Sequence, residues 1–335
     1  METIQKIYIY HTPTTSNGIL VIINNLHEAF IRNGYISTII TSLDGVPHDS
    51  FIIPYASDAA MNMIKGGYRT ELFFMTDAYS LGHLNKVKFY LRRCKLFEYD
   101  LYRSLYCFIE GRIKESKIFR HFKQFILVSD VDIEYLKNTY NKNAICYCLP
   151  NGANYETITP KEPSKKIRFG ILSSWVHRIT AGENAWFIND YFKKYNVLHP
   201  EVELVLAGKG EHVNDYKDVP GVRIMGEVES LNDFFKECDI FIVANPKGCG
   251  ILNRTLDAFA HKTCVLGFKA SFTGFDKMEN SYLEFNDYSS FEQQANKLSE
   301  MPALRNELAE NAFAYIKEHN DWVVNYDGFI KQLFG

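Results

Sequence analysis

Short apolar runs alternate with amphipathic segments along this 335-residue sequence, and the same order restarts in the second half. The first half opens with KIYIY, then ILVIINNLHEAFIRNG with its apolar residues at helical spacing, then the β-branched run YISTIIT. Strands that alternate with helices predict a parallel sheet covered by helices. The second half repeats this order from IRFGIL to TCVLGF. The sequence therefore predicts an α/β protein made of two doubly wound units.

Prolines and polar residues separate the two halves in the segment YETITPKEPSKK, which is typical of an exposed connection. The chain also exceeds the roughly 250–300 residues at which single cores stop growing. We predict an N-terminal domain at residues 1–155 and a C-terminal domain at residues 156–315. Residues 316–335 contain Trp322, Tyr326 and Phe329, and we expect them to form a helix that packs back on the N-terminal domain.

Composition excludes several classes of protein. No stretch approaches 18 uninterrupted apolar residues, and the start METIQKIYIYH lacks the charged and apolar regions of a secretion signal. The seven cysteines are an odd number and form no CxxC pair, so they are interpreted as reduced thiols. We therefore expect a cytoplasmic protein.

A basic and aromatic segment runs from Lys86 to Lys123. It holds 11 Lys and Arg residues against four acidic residues, and nine Phe and Tyr residues are interleaved with them. Each cation near an anionic leaflet contributes ~1 kcal/mol and aromatic rings bury at the interface, so we expect an anionic membrane surface as a partner. The alternative is an ordinary amphipathic helix pair. Nucleic acid is not expected, because RNP, zinc and helix-turn-helix signatures are absent.

Two glycine-containing loops follow predicted strands and open helices, at residues 14–18 and 245–250. Ligands of open α/β sheets lie beyond the carboxyl ends of the strands, where such loops present N–H groups and a positive dipole end to phosphate. After the second loop, Arg254 can neutralise a diphosphate and Asp257 can accept hydrogen bonds from ribose hydroxyls. This spacing favours a sugar nucleotide as the ligand. The alternative is a tight turn with a surface Arg and Asp.

The segment NPKGCGILNRTLDAFAHKTCVLGF resembles the donor-binding segment of the retaining GT-B glycosyltransferases that build bacterial surface polysaccharides, of the family 4-like, group 1 type. Other matching segments follow in the family's order: SNG, FILVSDVDIEYL, LPNGA, ENAWF, VLAGKG, RIMGEV and ECDIFIVAN. The resemblance implies the GT-B fold, in which two Rossmann-like domains face a cleft. It also implies transfer of a sugar from a UDP- or GDP-sugar to a glycan or lipid-linked hydroxyl, with retention of configuration, on the inner face of the plasma membrane.

The same resemblance implies a donor site in which each part of the nucleotide sugar has its own contacts. The base lies near residues 224–228, the ribose on Asp257, the diphosphate on basic and glycine residues, and the sugar on loop amides. The implied residues are Gly18, Arg178, Gly182, Gly226, Val228, Gly248, Cys249, Gly250, Asn253, Arg254 and Asp257. Two positions depart from the family pattern: Cys249 stands where a glutamate is common, and Ala181 where a lysine is common.

No metal ion or cofactor is expected. A diphosphate brings about two negative charges, which Arg178 and Arg254 can balance by charge-assisted hydrogen bonds. No DxD-type motif with supporting context occurs in the sequence. The nucleotide sugar is then a co-substrate that is bound without a metal ion.

Asp77 is the main catalytic candidate. It follows ELFFM, at the carboxyl end of a predicted strand, where it could hold the donor sugar or receive the acceptor proton. The alternative is that it caps the next helix. His83 and Glu110 are weaker candidates, and His11 and His27 are expected to be structural.

Two other functions stay open from the sequence. A sugar-nucleotide epimerase of GT-B fold would change its substrate without an acceptor, and it needs several acid and base side chains around one sugar. A catalytically weak binding subunit would bind the donor without turnover, which the absent glutamate and lysine would permit.

Overall fold

The computed structural model describes residues 6–13, 17–155, 166–176, 184–275 and 277–334. The chain forms two compact units. Unit 1 comprises Met1–Gly152, Lys247–Ile251 and Asn320–Gly335, and unit 2 comprises Ala153–Pro246 and Leu252–His319. The loop at residues 247–251 was predicted within the C-terminal domain, but its contacts place it in unit 1.

Twelve strands lie in the described residues. They are β1 (Lys6–Tyr10), β2 (Ile36–Ile40), β3 (Phe51–Pro54), β4 (Leu72–Phe74), β5 (Gln124–Leu127), β6 (Ile145–Cys148), β7 (Ile167–Leu172), β8 (Val202–Ala207), β9 (Val222–Gly226), β10 (Ile240–Val243), β11 (Cys264–Phe268) and β12 (Leu283–Phe285). All paired strands are parallel.

Eleven α-helices have both of their ends in the described residues, and residues 184–187 are helical as well. The eleven are α1 (Asn17–Arg32), α2 (Ala56–Gly66), α3 (Tyr79–Arg92), α4 (Tyr99–His121), α5 (Asp130–Thr139), α6 (Lys193–Leu198), α7 (Leu231–Phe235), α8 (Asn253–Ala260), α9 (Tyr288–Glu300), α10 (Pro302–His319) and α11 (Trp322–Phe334). A π-helical turn at Ile188–Phe192 directly precedes α6.

Unit 1 contains two three-stranded sheets, in the orders β2-β1-β3 and β4-β5-β6. A single parallel bridge between Tyr55 and Phe74 connects β3 to β4. The C-terminal helix α11 packs in the same core as α1, because Tyr326, Phe329 and Ile330 are buried there with apolar residues of α1. Because the strands of both sheets and the bridge between them are parallel, the carboxyl ends of the strands share one edge. Asp77 lies at this edge, shortly after β4.

Unit 2 contains a six-stranded sheet in the order β12-β11-β10-β7-β8-β9. This is the Rossmann order, and its chain reverses direction across the sheet between β7 and β10. Ligands of such sheets bind beyond the carboxyl ends at this switch point. Here those ends lead to Ser173 and to Ala244-Asn245.

Three short elements differ from the sequence expectations. Strand β3 and helix α2 had not been predicted, since FIIP is only four residues long and ends at a proline that donates no ladder hydrogen bond. Strand β12 had not been predicted either. Its three residues pair with β11 at the edge of the sheet, a tertiary contact without a local signal.

Candidate functional site

Asp77 lies between β4 and α3 and is partly buried. The N-cap of α3 is Ala78 and not Asp77, so the capping alternative for Asp77 is wrong. Its Oδ1 lies 3.5 Å from Thr76 Oγ1, and its Oδ2 lies 3.9 Å from Cys249 Sγ. Loss of hydration raises the pKa of Asp77, although Lys247 and the nearby hydrogen-bond donors act in the opposite direction. The environment therefore makes this carboxylate more basic than usual.

Asp132 is a fully buried carboxylate that the sequence analysis did not single out. Its Oδ1 accepts the N–H of Ala78, which follows Asp77, and its Oδ2 accepts the N–H of Gly250, both at 2.8 Å. It stands in the first turn of α5, whose N-cap Ser129 accepts from the Asp132 N–H. The sequence signal was slight: an acid in a first helical turn, after an apolar strand. Asp132 thus ties the Asp77 segment to the glycine loop.

The loop at 247–251 is docked on α3 as well. Asn85 Nδ2 donates to the Lys247 carbonyl at 2.8 Å. Gly82 permits close approach, because a Cβ at that position would lie 2.7 Å from Cys249 Sγ. Gly250 has a φ of +63°, a conformation that glycine adopts without strain. The Gly250 N–H is donated to Asp132, so this amide does not serve a sugar hydroxyl, contrary to the expectation for the loop amides.

Cys249 is the loop residue for which the sequence resemblance implied a glutamate as the common residue. Its side chain is buried, and burial raises the pKa of the thiol, to which the charges of Asp77 and Asp132 add. The thiol is therefore neutral at physiological pH, and it supplies no negative charge here. Asp77 and Asp132 supply the carboxylates that surround this loop within unit 1.

Burial, and next the charge of Asp77, raise the pKa of Asp132 to about 6 from 3.8. When the folded state raises the pKa of an acid, that acid contributes most to stability below its pKa in the unfolded state. The contribution is lost as pH rises through the folded-state pKa, here about 6. The shift of about two pKa units corresponds to roughly 3 kcal/mol. Asp132→Asn removes this titration, so the stability of the natural chain relative to the variant should decrease between pH 4.5 and pH 7.

Urea unfolding at both pH values measures this difference. Asp130→Asn, at an exposed position in the same helical turn, is the matched control and should leave the pH dependence unchanged. Equal pH slopes for the natural chain and Asp132→Asn would contradict the assignment.

In unit 2, α8 begins beside the switch point of the sheet. Arg254 is its second residue, and Arg254 Nη1 lies 3.4 Å from Ser173 Oγ, directly after β7. The N-cap residue of α8 is Leu252, whose apolar side chain makes no capping hydrogen bond, and a helix N-terminus is a favourable place for an anion. Asn253 and Asp257 are partly exposed on the same helix. The structure therefore brings Ser173 and Arg254 together where a phosphate group would bind.

The remaining predicted donor residues have different positions. Gly226 ends β9, Val228 follows it, and both lie at the carboxyl edge of the unit 2 sheet. Gly18 lies in the first turn of α1, in unit 1, and is exposed. Arg178 and Gly182 lie outside the described residues, as does Ala181.

The histidines and Glu110 make ordinary contacts. His11 Nδ1 lies 2.9 Å from the Thr12 carbonyl, and His27 Nδ1 lies 2.9 Å from Ser37 Oγ. Glu110 pairs with Lys114 at 3.0 Å. The His83 ring packs edge-on against Tyr79. None of these contacts indicates a catalytic role.

Residues 176–300 match the family described as Glycosyl transferases group 1. No curated protein sequence is significantly similar to the chain. Among solved structures, sucrose-phosphate synthase from Thermosynechococcus elongatus is similar with a TM-score of 0.71 and 14% identity, covering 98% of this chain and 99% of that one. HepE from Anabaena, solved with UDP-glucose, gives a TM-score of 0.67 and 12% identity with the same coverage.

A UDP-forming trehalose-phosphate synthase from Burkholderia xenovorans gives a TM-score of 0.59 and 11% identity, covering 86% of this chain and 74% of that one. These likenesses confirm the predicted α/β architecture of two Rossmann-like domains. The chain therefore has the GT-B fold and carries a Glycosyl transferases group 1 domain at residues 176–300, so the protein is a glycosyltransferase.

Proposed function

We propose that the protein transfers a sugar from a UDP- or GDP-sugar to a hydroxyl of a glycan or lipid-linked glycan, with retention of configuration, in bacterial surface polysaccharide synthesis. The observation that carries the proposal is Arg254 at the start of α8, beside Ser173 at the unit 2 switch point. HepE, a structural neighbour, was solved with UDP-glucose, which supports a nucleotide-sugar donor.

In this proposal the donor diphosphate binds Arg254 and the N–H groups of the α8 first turn. Arg254 supplies a charge-assisted, bidentate contact, and the helix dipole adds a partial positive charge. Asp257 accepts hydrogen bonds from the ribose, and the base lies near Gly226 and Val228. Arg178 supplies further charge to the diphosphate. The leaving diphosphate is thereby stabilised as negative charge develops on its oxygen.

In the transfer step, the bond from the sugar anomeric carbon to the phosphate oxygen breaks and the bond to the acceptor oxygen forms on the same face. The acceptor proton passes to the Asp77 carboxylate or to the departing phosphate oxygen. Asp77 binds a hydroxyl of the donor sugar or of the acceptor and assists this proton transfer, for which its raised pKa suits it. The proposal uses no metal ion, because Arg178 and Arg254 can balance the diphosphate charge.

Thermal unfolding of the full chain with a panel of nucleotide sugars tests the proposal. A ligand at 100 times its Kd stabilises the folded state by about 2.7 kcal/mol, so one base class should raise the unfolding temperature measurably. Product analysis of the same mixtures distinguishes the proposed transferase from the two alternatives, an epimerase and a binding subunit. Change of the sugar nucleotide without an acceptor would show an epimerase. Donor binding that never leads to transfer, across a panel of glycan acceptors, would show a binding subunit.

We also propose that α4 docks on the anionic inner face of the plasma membrane. Five apolar or aromatic side chains at spacings of three and four residues line one exposed face: Tyr99, Tyr102, Tyr106, Ile109 and Ile113. The same face continues with the exposed cations Lys117 and Arg120. Phe97, before α4, is 96% exposed. None of the helices in the described ranges is long and apolar enough to cross a membrane.

An ordinary amphipathic helix buries its apolar side and exposes a polar one, whereas α4 buries one apolar side and also exposes apolar side chains beside positive charge. Aromatic and aliphatic side chains together with cations are the elements of interfacial binding. The charge complementarity selects anionic lipid as the occupant.

Replacing Tyr102, Tyr106 and Ile109 together by serine should reduce binding to vesicles with anionic lipid at least tenfold. The three side chains lose apolar area that would enter the interface, while the cations remain. Co-sedimentation with vesicles measures the bound fraction. Val323→Ser/Val324→Ser, on exposed positions of α11, is the control and should bind as the natural chain does. Unchanged binding of the triple variant, or equal binding to neutral vesicles, would contradict docking through α4.

A further inference from the structure

A cavity of about 250 Å³ opens beside Asp77, at the carboxyl ends of β3 and β4 in unit 1. Its apolar lining comes from Ile19, Ala56 and Met75, and the Tyr79 ring forms a further part of the wall. Ser57 and Thr76 contribute hydroxyl groups. This volume lies below the roughly 300–1,000 Å³ of pockets for drug-sized ligands. It suits one sugar ring, which combines apolar C–H faces with hydroxyl groups.

The charges around this cavity are mostly negative. Asp58, Asp77 and Glu115 line it, and the one cation in the described lining is Lys114. Lys114 Nζ lies 3.2 Å from Asp58 and 3.0 Å from Glu110, so its charge is already compensated.

Glu115 is fully buried and holds its place through Ser80 and Tyr140. The Ser80 N–H donates at 2.9 Å and the Tyr140 hydroxyl at 2.8 Å. Its carboxylate is therefore a fixed part of the wall. A ligand phosphate in the cavity would meet carboxylates and no uncompensated cation in the described lining.

We propose that this cavity binds the acceptor and selects a neutral or amino-bearing sugar over a phosphorylated one. The inference rests on the proposed function, because it assigns the acceptor to the cavity beside the catalytic candidate. A neutral ring places a hydroxyl near Asp77 and its apolar face on Tyr79 or Met75. An ammonium group gains attraction from the carboxylates, whereas a phosphate is repelled by them.

The test compares glucose, glucosamine and glucose 6-phosphate, which share one ring and differ in charge, by ligand-detected NMR titration of the full chain. Glucose and glucosamine should bind, with glucosamine at least as tight, and glucose 6-phosphate should bind at least tenfold more weakly than glucose. Ser57→Phe, which fills the cavity from α2, should abolish binding of the first two. Equal affinity for glucose 6-phosphate overturns the charge argument, and absence of binding for all three overturns the cavity assignment.

Asp58→Asn provides a second variant that needs no change in packing, because Asp58 is exposed. It releases Lys114 from one of its two partners, so the discrimination against glucose 6-phosphate should shrink. Asp49→Asn is the matched control, since Asp49 lines a separate cavity of about 650 Å³ at the amino ends of the strands. The Asp49→Asn variant should discriminate against glucose 6-phosphate as strongly as the natural chain does. Unchanged discrimination in Asp58→Asn also overturns the charge argument.

The two proposals fail separately. If nucleotide sugars stabilise the chain while none of the three monosaccharides binds, the acceptor inference fails and the proposed donor function stands. If monosaccharides bind in the cavity but no nucleotide sugar binds, the proposed function fails instead.

Discussion

Replacing Arg254 with alanine should weaken nucleotide-sugar binding by about ten- to a hundredfold. A hydrogen bond to a charged group contributes roughly 1.5–3 kcal/mol, and each 1.4 kcal/mol is a factor of ten in affinity. Arg254 is partly exposed at the start of α8, where its Nη1 lies 3.4 Å from Ser173 Oγ. Its loss should therefore change ligand affinity far more than the fold.

The packing of α8 supports this separation of binding from stability. Leu256, Ala258 and Phe259 anchor the helix in the unit 2 interior and are untouched by the substitution. Isothermal titration with the nucleotide sugar that most stabilises the chain gives the affinity. Lys317→Ala, at an exposed position of α10, is the charge-matched control. Arg254→Lys should fall between the two, because lysine keeps the charge and loses the bidentate geometry. Unchanged affinity in Arg254→Ala would remove the diphosphate assignment.

The order of strands and helices could be predicted from the sequence because each element has its own local pattern of apolar residues. Apolar runs such as FILV and VELVLA belong to buried strands at any position in a parallel sheet, and the intervening helices show their own period. Connections between parallel strands are short and right-handed, so few strand orders are possible for unit 2. The Rossmann order is one of them. Strand β12 escaped prediction because its pairing with β11 is its main constraint, and three residues carry too little pattern.

The candidate site was predicted in part, and the missing part depends on contacts distant in sequence. Gly248 and Gly250 were expected to approach a ligand, yet the Gly250 N–H is donated to Asp132, 118 residues away in the chain. No local pattern indicates which buried acid will accept a given amide. Asn85 and Gly82, which hold the same loop, are likewise defined by tertiary contact alone.

The basic and aromatic segment from Lys86 to Lys123 shows a second limit of prediction from sequence. Its composition allowed either a membrane surface or an ordinary helix pair, because the sequence does not state which face of a helix is covered. Leu101, Cys107 and Ile118 of α4 are buried. The structure leaves Tyr102 and Tyr106 exposed on its other side. This exposed face supports docking on a membrane surface, which stays a prediction.

Replacing Asp77 with asparagine should reduce the rate of sugar transfer by about a hundred- to ten-thousandfold, the range for loss of a group that assists proton transfer. Asparagine has nearly the same shape, so it keeps the contact with Thr76 but cannot take up the proton. Donor affinity, measured separately by titration, should change much less than kcat. Release of nucleoside diphosphate in the presence of acceptor gives the rate. Asp44→Asn, at an exposed position of unit 1 where Asp44 contacts Ser42, should retain the natural rate.

The pH dependence distinguishes a proton-accepting Asp77 from one that only shapes the site. Desolvation raises the pKa of Asp77, so its ionised form is lost on acidification at a higher pH than for an ordinary aspartate. The rate of the natural chain should therefore fall as pH decreases through that raised pKa, with Asp132 titrating near pH 6 in the same region. Asp77→Asn should lose the Asp77 limb and keep the weaker dependence due to Asp132. A variant with reduced rate but the full acid limb would mean that Asp77 orients the substrate, and that the phosphate leaving group accepts the proton alone.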